Sequence, residues 1–348
     1  MRESRKLDHI RWALDLPDGP APSGLDDIKL VHNALPGINR DEISIATEAF
    51  GCRLAAPILI NAITGGNLQV LEVNRMLARA ARETGLGIAV GSQTGAILVP
   101  ELAETFSVVR RENPRGLVIA NVGAGVDPKA ALTAVEMIEA NALQVHLNVP
   151  QELAMGEGDR NFSGIAENIA RLVEVMPVPV VVKEVGFGIA KETALQLQRM
   201  GVTWLDIGGA GGTNFISIEH RRGQQTVVPE DWGISTACSL GEVAASCPGL
   251  RIIASGGIRT PLETIKCLCV GASLVGIAGL WLKILLQQSY EDLLINVSKF
   301  GEDIKTVMLM LGVKGLIELP HIPAVFSGAT REWLTERGVD TRLWAQRG

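Results

Sequence analysis

Aromatic side chains are scarce, 4% of 348 residues, so the stacking platforms that single-stranded nucleic acid requires are missing. Excess positive charge is missing too. The net charge is −6, nothing draws the chain to DNA or RNA at long range, and any bound phosphate must be held by a few local cations, helix N-termini and backbone N–H groups. No disulfide framework can be read: Cys52, Cys238, Cys247, Cys267 and Cys269 are odd in number and irregular in spacing. Cys267 and Cys269 stand two apart on a helix-like stretch, do not share a face, and read as small core residues. A long apolar run is also lacking. Residues 267–282 extend for about 16 residues against the roughly 20 of a membrane span, and Gly271, Gly276 and Gly279 interrupt them. A helix end, a buried strand and a glycine loop account for that stretch better. The N-terminus is charged and carries no signal-peptide core. These absences lead us to expect a cytoplasmic protein with neither membrane nor nucleic acid as partner.

What is present is a rhythm. Hydrophobic residues make up 47% and glycine occupies 38 positions, a composition suited to a buried α/β core. Residues 1–53 read as an irregular arm with turn signals such as Pro17-Asp18-Gly19-Pro20. Beyond them, eight short apolar runs, at 58–62, 87–90, 117–121, 143–147, 180–184, 203–207, 251–255 and 273–277, read as strands covered on both faces. Amphipathic stretches at 68–84, 128–141, 161–175 and 261–270 separate several of them. Alternating β and α elements imply a parallel sheet. Eight units without a composition shift imply closure into one α/β domain over 1–348: a single (β/α)8 TIM barrel from about residue 54, with the N-terminal arm packing on or over it.

In such a barrel the working residues follow the strands, and polar and glycine residues collect there: Thr64-Gly65-Gly66-Asn67, Gly91-Ser92-Gln93-Thr94, Asn121-Val122-Gly123, His146 to Glu152, Lys183 to Gly188, Gly208 to Asn214, Ser255 to Arg259 and Gly276 to Gly279. Glycine loops after the seventh and eighth strands, with Arg259, point to a phosphate site, because glycine lets backbone N–H groups approach an anion. Lys183 ends an apolar strand. It reads either as a Schiff-base nucleophile or as a cation facing an electron-rich cofactor, against the plainer reading of a snorkelling lysine. His146 and Asn148 share one side of their strand. Glu152 is a hard-cation ligand of the kind Mg²⁺ takes with substrate phosphates; one His without Cys makes no zinc site. Glu157-Gly158-Asp159-Arg160 reads equally well as a solvated turn.

Taken together, the motifs Arg5-Lys6-Leu7-Asp8-His9, Asn61-Ala62-Ile63-Thr64-Gly65-Gly66, Gly91-Ser92-Gln93, His146-Leu147-Asn148-Val149-Pro150-Gln151-Glu152, Lys183 to Gly188, Asp206 to Phe215, Trp232 to Thr236 and Ser255 to Arg259 resemble the type 2, FMN-dependent isopentenyl diphosphate isomerases. The resemblance runs from the arm to Trp333-Leu334-Thr335-Glu336-Arg337. It implies an isomerase interconverting isopentenyl and dimethylallyl diphosphate with reduced FMN, NADPH or NADH as reductant, and Mg²⁺, assembled as a homotetramer or homo-octamer. It implies that Ala62, Ile63, Thr64, Ser92, Asn121 and Lys183 contact the flavin ring, and that Thr213, Gly257, Arg259, Ala278 and Gly279 hold its phosphate. Arg5, Lys6, His9, Ser92, Gln93, His146, Asn148 and Gln151 would meet the substrate, Glu152 would hold the metal, and Gln151 and Lys183 would be catalytic. In the family the flavin itself is implied to move the proton, with Gln151 at the other carbon.

Three positions depart from the family pattern. Ile63 stands where many members have Met. Thr94 stands where some have an Arg that contacts the diphosphate, with no basic residue before Arg110. Ala190 replaces a usual Ser. Loss of the arginine's charge-assisted bond weakens substrate binding by about 1.5–3 kcal/mol unless something replaces it. The alternative reading is an FMN barrel oxidoreductase of hydroxy-acid or dihydroorotate type. That chemistry needs a base near the sixth strand, where the chain offers Gly208 to Thr213 instead. A Schiff-base aldolase and a non-catalytic phosphate-binding regulator account less well for the polar run from His146 to Glu152.

Overall fold

The computed structural model describes residues 2–223 and 227–348, with the side chains of residues 2–7 and 9 outside the described set. Eight parallel strands close a barrel: β1 Ile58–Ile60, β2 Gly87–Ala89, β3 Val118–Gly123, β4 Ala142–Leu147, β5 Val180–Glu184, β6 Trp204–Asp206, β7 Arg251–Ser255 and β8 Leu274–Ile277. Each pairs with the next in chain order and β8 returns to β1, with Gly276 opposite Leu59. All eight expected runs are strands. The third starts one residue later than expected and runs two further, to Gly123, where it still pairs with His146 of β4. The expected helices are present at Leu71–Thr84, Pro128–Met137, Ile165–Val175 and Pro261–Val270. Three of them end or begin three or four residues inside the expected range.

Strand geometry sorts the side chains, since alternate residues face inward. Leu59, Ala89, Ile119, Ala142, Val181, Trp204, Ile253 and Leu274 pack together as one apolar cluster inside the barrel. A hairpin of Thr47–Ala49 and Cys52–Leu54 closes the bottom, and the Phe50 ring sits 4.3 Å from that of Trp204. The outward rows, among them Ile58, Ile60, Val118, Val182 and Leu205, form the larger core under the helices.

The arm is more ordered than its turn-rich sequence suggests. Helix α1, Arg2–Asp15, packs on helices Phe215–Arg221 and Gly279–Gln287, which follow β6 and β8. Its Ile10 and Leu14, four apart and therefore on one face, rest against the core. Further along, Ile28–Leu30 pairs antiparallel with Ala324–Phe326. A 22-residue helix, Tyr290–Leu311, opens on a Ser289 cap and closes on Gly312 at φ 72°. All five cysteines are unpaired, and Cys267 and Cys269 are buried within helix Pro261–Val270. Among the described residues no helix is long and apolar enough to cross a membrane.

Candidate active site

Two residues above the apolar interior, the inward rows turn polar. Asn61 follows Leu59, Asn121 follows Ile119, Gln144 follows Ala142, Lys183 follows Val181, Asp206 follows Trp204 and Ser255 follows Ile253. These side chains meet at the C-terminal end of the strands, and all six are buried. Asp206 is the hub. Its carboxylate accepts from Asn61 Nδ2 at 2.7 Å and from the Ser255 hydroxyl, and pairs with Lys183 Nζ at 3.1 Å. Lys183 also donates to the Glu184 carbonyl at 2.9 Å.

A carboxylate only accepts, so it fixes the sense of the amides behind it. Asn61 Oδ1 accepts from Gln144 Nε2 at 3.0 Å, and Gln144 Oε1 from Asn121 Nδ2 at 3.1 Å. Asn121 Oδ1 is thus left as the acceptor for His146 Nδ1 at 2.8 Å. The chain of bonds places a hydrogen on His146 Nδ1, with Nε2 beside Gly123. Asn61, Asp206 and Ser255 entered the sequence reading only as parts of motifs, with no role, and Gln144 not at all, yet together they orient Lys183, Asn121 and, through Asn121, His146.

The loops after β6, β7 and β8 form a second feature. Gly256 and Gly257 adopt φ 109° and 75°, and a side chain on Gly257 would collide with the Gly211 carbonyl. Only glycine fits there. Around a Cβ placed on Gly279 the single neighbour is the Thr213 hydroxyl, at 3.7 Å. Across that open space Thr213 faces the N-terminus of the nine-residue helix Gly279–Gln287, which starts from Ala278 without a side-chain cap. This is the geometry of an oxyanion cradle. Arg259 braces it from the side: its guanidinium donates to the Gly257 and Gly211 carbonyls at 2.6 and 2.7 Å and pairs with Asp18 of the arm at 2.7 Å.

A third feature lies just after β1. Thr64 is buried after β1, and its hydroxyl has no partner. Buried hydroxyls are normally satisfied, so this one fits a ligand atom. An orphaned Thr64 flanked by half-buried Ala62 and Ile63, with a glycine cradle at the last strand ends of the same barrel mouth, fits a flat cofactor with a phosphate tail.

The remaining expected residues separate into groups. Ser92 lies at the mouth with its hydroxyl 3.1 Å from that of Thr94. Gln93 does not share that exposure. Its amide donates to the Ala134 carbonyl and accepts from Asn121 N–H, which locks it into the wall between β3 and helix Pro128–Met137. Gln151 and Glu152 are half-buried on the short helix Val149–Ala154. Glu152 accepts from Asn148 Nδ2 at 2.7 Å and from Asp159 N–H at 2.9 Å, so the stretch from Glu157 to Arg160 is folded onto it rather than free in solvent. Among the described residues no group of three or more His, Cys, Asp or Glu side chains is gathered to cage a metal. The side chains of Arg5, Lys6 and His9 lie outside the described residues; the helix that carries them is tied to the top of the barrel through Asp8, 3.5 Å from Arg222, which also pairs with Glu157 and Glu219.

The departures have structural counterparts. Ala190 is the N-cap of helix Lys191–Arg199 and provides no cap bond. Arg110 does not replace the missing basic residue near Thr94. Its guanidinium is bound by the carbonyls of Asn113, Gly116, Ile138 and Glu139, toward the opposite end of the barrel. At β5, burial pushes the Glu184 carboxyl up to about 8 although it accepts from the N–H groups of Gly186 and Phe187.

A closed barrel with a phosphate cradle at its last strands and a lysine buried in the mouth defines the class of flavin-binding (β/α)8 enzymes, and residues 130–322 match the family model of the FMN-dependent dehydrogenases. Solved structures of mandelate oxidase share the fold, with a TM-score of 0.66 at 17% identity over 92% of this chain and 96% of that one. Within the class, the chain belongs to the isopentenyl-diphosphate delta-isomerase family. It is 47% identical to the isopentenyl-diphosphate delta-isomerase of Moorella thermoacetica over 97% of both chains. It is 46% identical to that of Bacillus pumilus over 99% of this chain and 98% of the relative, and 44% identical to that of a Geobacillus species over 99% of both.

Proposed function

We propose that this protein interconverts isopentenyl diphosphate and dimethylallyl diphosphate, using FMN in its reduced form, NADPH or NADH as the reductant and Mg²⁺ at the diphosphate. The observation that carries this reading is identity of 44–47% with isopentenyl-diphosphate delta-isomerases along essentially the whole chain. The orphaned Thr64 hydroxyl and the Gly257–Gly279 cradle support the cofactor.

An unactivated alkene is a weak base, so its protonation requires stabilisation of a cation-like transition state. When bound, reduced FMN supplies an electron-rich surface for that charge. Ala62, Ile63, Thr64, Ser92, Asn121 and Lys183 would line its ring, with Thr213, Gly257, Arg259, Ala278 and Gly279 around its phosphate. Lys183 holds a positive charge at the ring, which favours an anionic partner there, and Asp206 keeps Lys183 in position. The diphosphate would be held by Arg5, Lys6, His9, His146 and Asn148, with Ser92 at the edge of that pocket; Gln93, committed to Ala134 and Asn121, belongs to the wall behind it and not to the substrate contacts expected from the sequence. Nδ1–H of His146 is committed to Asn121, which fixes the orientation of the ring at the strand end. Glu152 would be the carboxylate that holds Mg²⁺, a metal that usually takes one or two carboxylates together with substrate phosphates. Gln151, on the same short helix, would orient or relay the proton at the allylic carbon. Ala154, Phe187, Ile216 and Val228 form an apolar cluster beside the mouth that excludes water from the cation. A homotetramer or homo-octamer in the cytoplasm completes the proposal.

Gln151→Ala tests the assignment of the proton. The variant should purify yellow, bind substrate and bleach with NADPH, while turnover falls by about 10²–10⁴-fold, the range for removal of a proton-transfer group. Turnover equal to that of the unmodified enzyme would take Gln151 out of the mechanism.

A further inference from the structure

At the opposite end of the barrel from the mouth, a cleft of about 260 Å³ opens between the ends of helices Leu71–Thr84 and Glu104–Glu112 and the hairpin that plugs the barrel. Three exposed arginines line it: Arg53 from the hairpin, Arg82 from the last turn of the first helix and Arg115 from the turn leading into β3. Arg53 and Arg115 pair with no carboxylate among the described residues. Arg82 donates to the Glu112 carbonyl at 2.9 Å and lies 3.6 Å from Glu83. The two nearby carboxylates are turned toward other cations, Glu83 to Arg79 at 2.8 Å and Glu112 to Arg75 at 3.8 Å.

The second observation is independent of these charges. Asn113, which also lines the cleft, is 2% exposed. Its Oδ1 accepts from Gly116 N–H at 3.1 Å, which fixes the amide's orientation. Its Nδ2 is buried and has no partner. A buried amide donor left unmade costs about 1–3 kcal/mol, and an acceptor in the cleft would satisfy it. Three arginines, whose planar guanidinium forks match phosphate oxygens, line the same cleft.

We propose that this cleft is a second anion site, separate from the mouth, that takes a phosphate or diphosphate group. The Arg53, Arg82 and Arg115 guanidinium groups supply charge, and Asn113 Nδ2 supplies the oriented bond. The group can arrive as inorganic diphosphate or as the head of a diphosphate ester, whose apolar part would lie along Leu54 and Leu86 at the cleft wall.

The test is calorimetric titration of the FMN-loaded full-length enzyme with inorganic diphosphate and, in parallel, with isopentenyl diphosphate. It uses the unmodified protein, the Arg53→Ala/Arg115→Ala double variant and Asn113→Asp. The two arginines are exposed, so the double variant should keep its melting temperature and its turnover. Asn113→Asp keeps the acceptor for Gly116 but replaces the donor with a negative charge. The unmodified enzyme should show two sites per chain, and the double variant should lose one. Asn113→Asp should weaken that one by about tenfold or more, the equivalent of one unmade bond of about 1.4 kcal/mol. Loss of the site for both ligands assigns it to the phosphoryl group alone, and loss for the ester only adds the apolar wall to recognition. One site per chain in the unmodified enzyme, or the same isotherm in all three proteins, overturns the proposal.

Discussion

Two layers of the same barrel interior stand two residues apart on six strands, and they do opposite work. In the lower layer Leu59, Ile119, Ala142, Val181, Trp204 and Ile253 fill space and hold the barrel shut over the Phe50 hairpin. In the upper layer Asn61, Asn121, Gln144, Lys183, Asp206 and Ser255 are just as buried, but every polar group is spent on another polar group. Burying a charge is tolerable only when it is paired and hydrogen-bonded. The lower layer makes that possible by excluding water from one side, so that Asp206 and Lys183 stay at a fixed separation beneath the mouth. The comparison teaches that a polar strand end is a site when its groups orient one another toward open space. Arg110, whose guanidinium is taken up by four backbone carbonyls, is a staple.

Removing the charge from the upper layer should do the most. Lys183→Met leaves Asp206 buried without its cation, a change worth about 3–5 kcal/mol of stability, and removes charge stabilisation at the ring, worth about 10²–10³-fold in turnover. Adding Asp206→Asn should return most of the stability and none of the turnover. Thermal melts and kcat on the single and double variants separate the two effects, and recovery of turnover in the double variant would break the division of labour. Trp204→Ala breaks the lower layer instead. Loss of a large buried aromatic packed on Phe50 should cost about 3–5 kcal/mol while kcat per bound FMN is unchanged; denaturant midpoints and flavin-normalised rates decide it.

The effect that is smallest at any one pH step is the pH dependence at the rim of β5. The Glu184 carboxyl is raised from 4.5 to about 8 by burial. Between those values the folded chain keeps a proton that the unfolded chain has released, so stability falls as pH rises through that window, by up to about 1.4 kcal/mol per unit. Glu184→Gln keeps an acceptor for Gly186 and Phe187 and should flatten the slope. A series of melts across the window, equally steep in both proteins, would show that Glu184 is ionised in the fold.

The lower layer was legible in the sequence and most of the upper one was not, for the same physical reason. Apolar runs such as 180–184 announce strands because both faces of a parallel strand are covered. The glycines at 256 and 257 announce a cradle because no other residue fits there, and Gly279 leaves the facing helix N-terminus open. Gln144, by contrast, sits inside a run that reads simply as buried strand. Asn61 and Asp206 are 145 residues apart, and no local pattern states that they touch before the barrel closes. One signal was available: on six strands the inward row changes from apolar to polar at the same height. The arm misled for a different reason, since α1 has few apolar residues and its Ile10 and Leu14 find their surface only on helices that follow β6 and β8.

The proposed chemistry requires a flavin held between Thr64, Lys183 and the Gly257–Gly279 cradle and competent only when reduced. The direct test is an anaerobic reductive titration of the yellow protein with NADPH, in which the isomerisation rate and the flavin absorbance are followed together. The rate should rise in proportion to the bleached fraction and level off when bleaching is complete. A rate that stays constant from the oxidised to the fully reduced protein would contradict it.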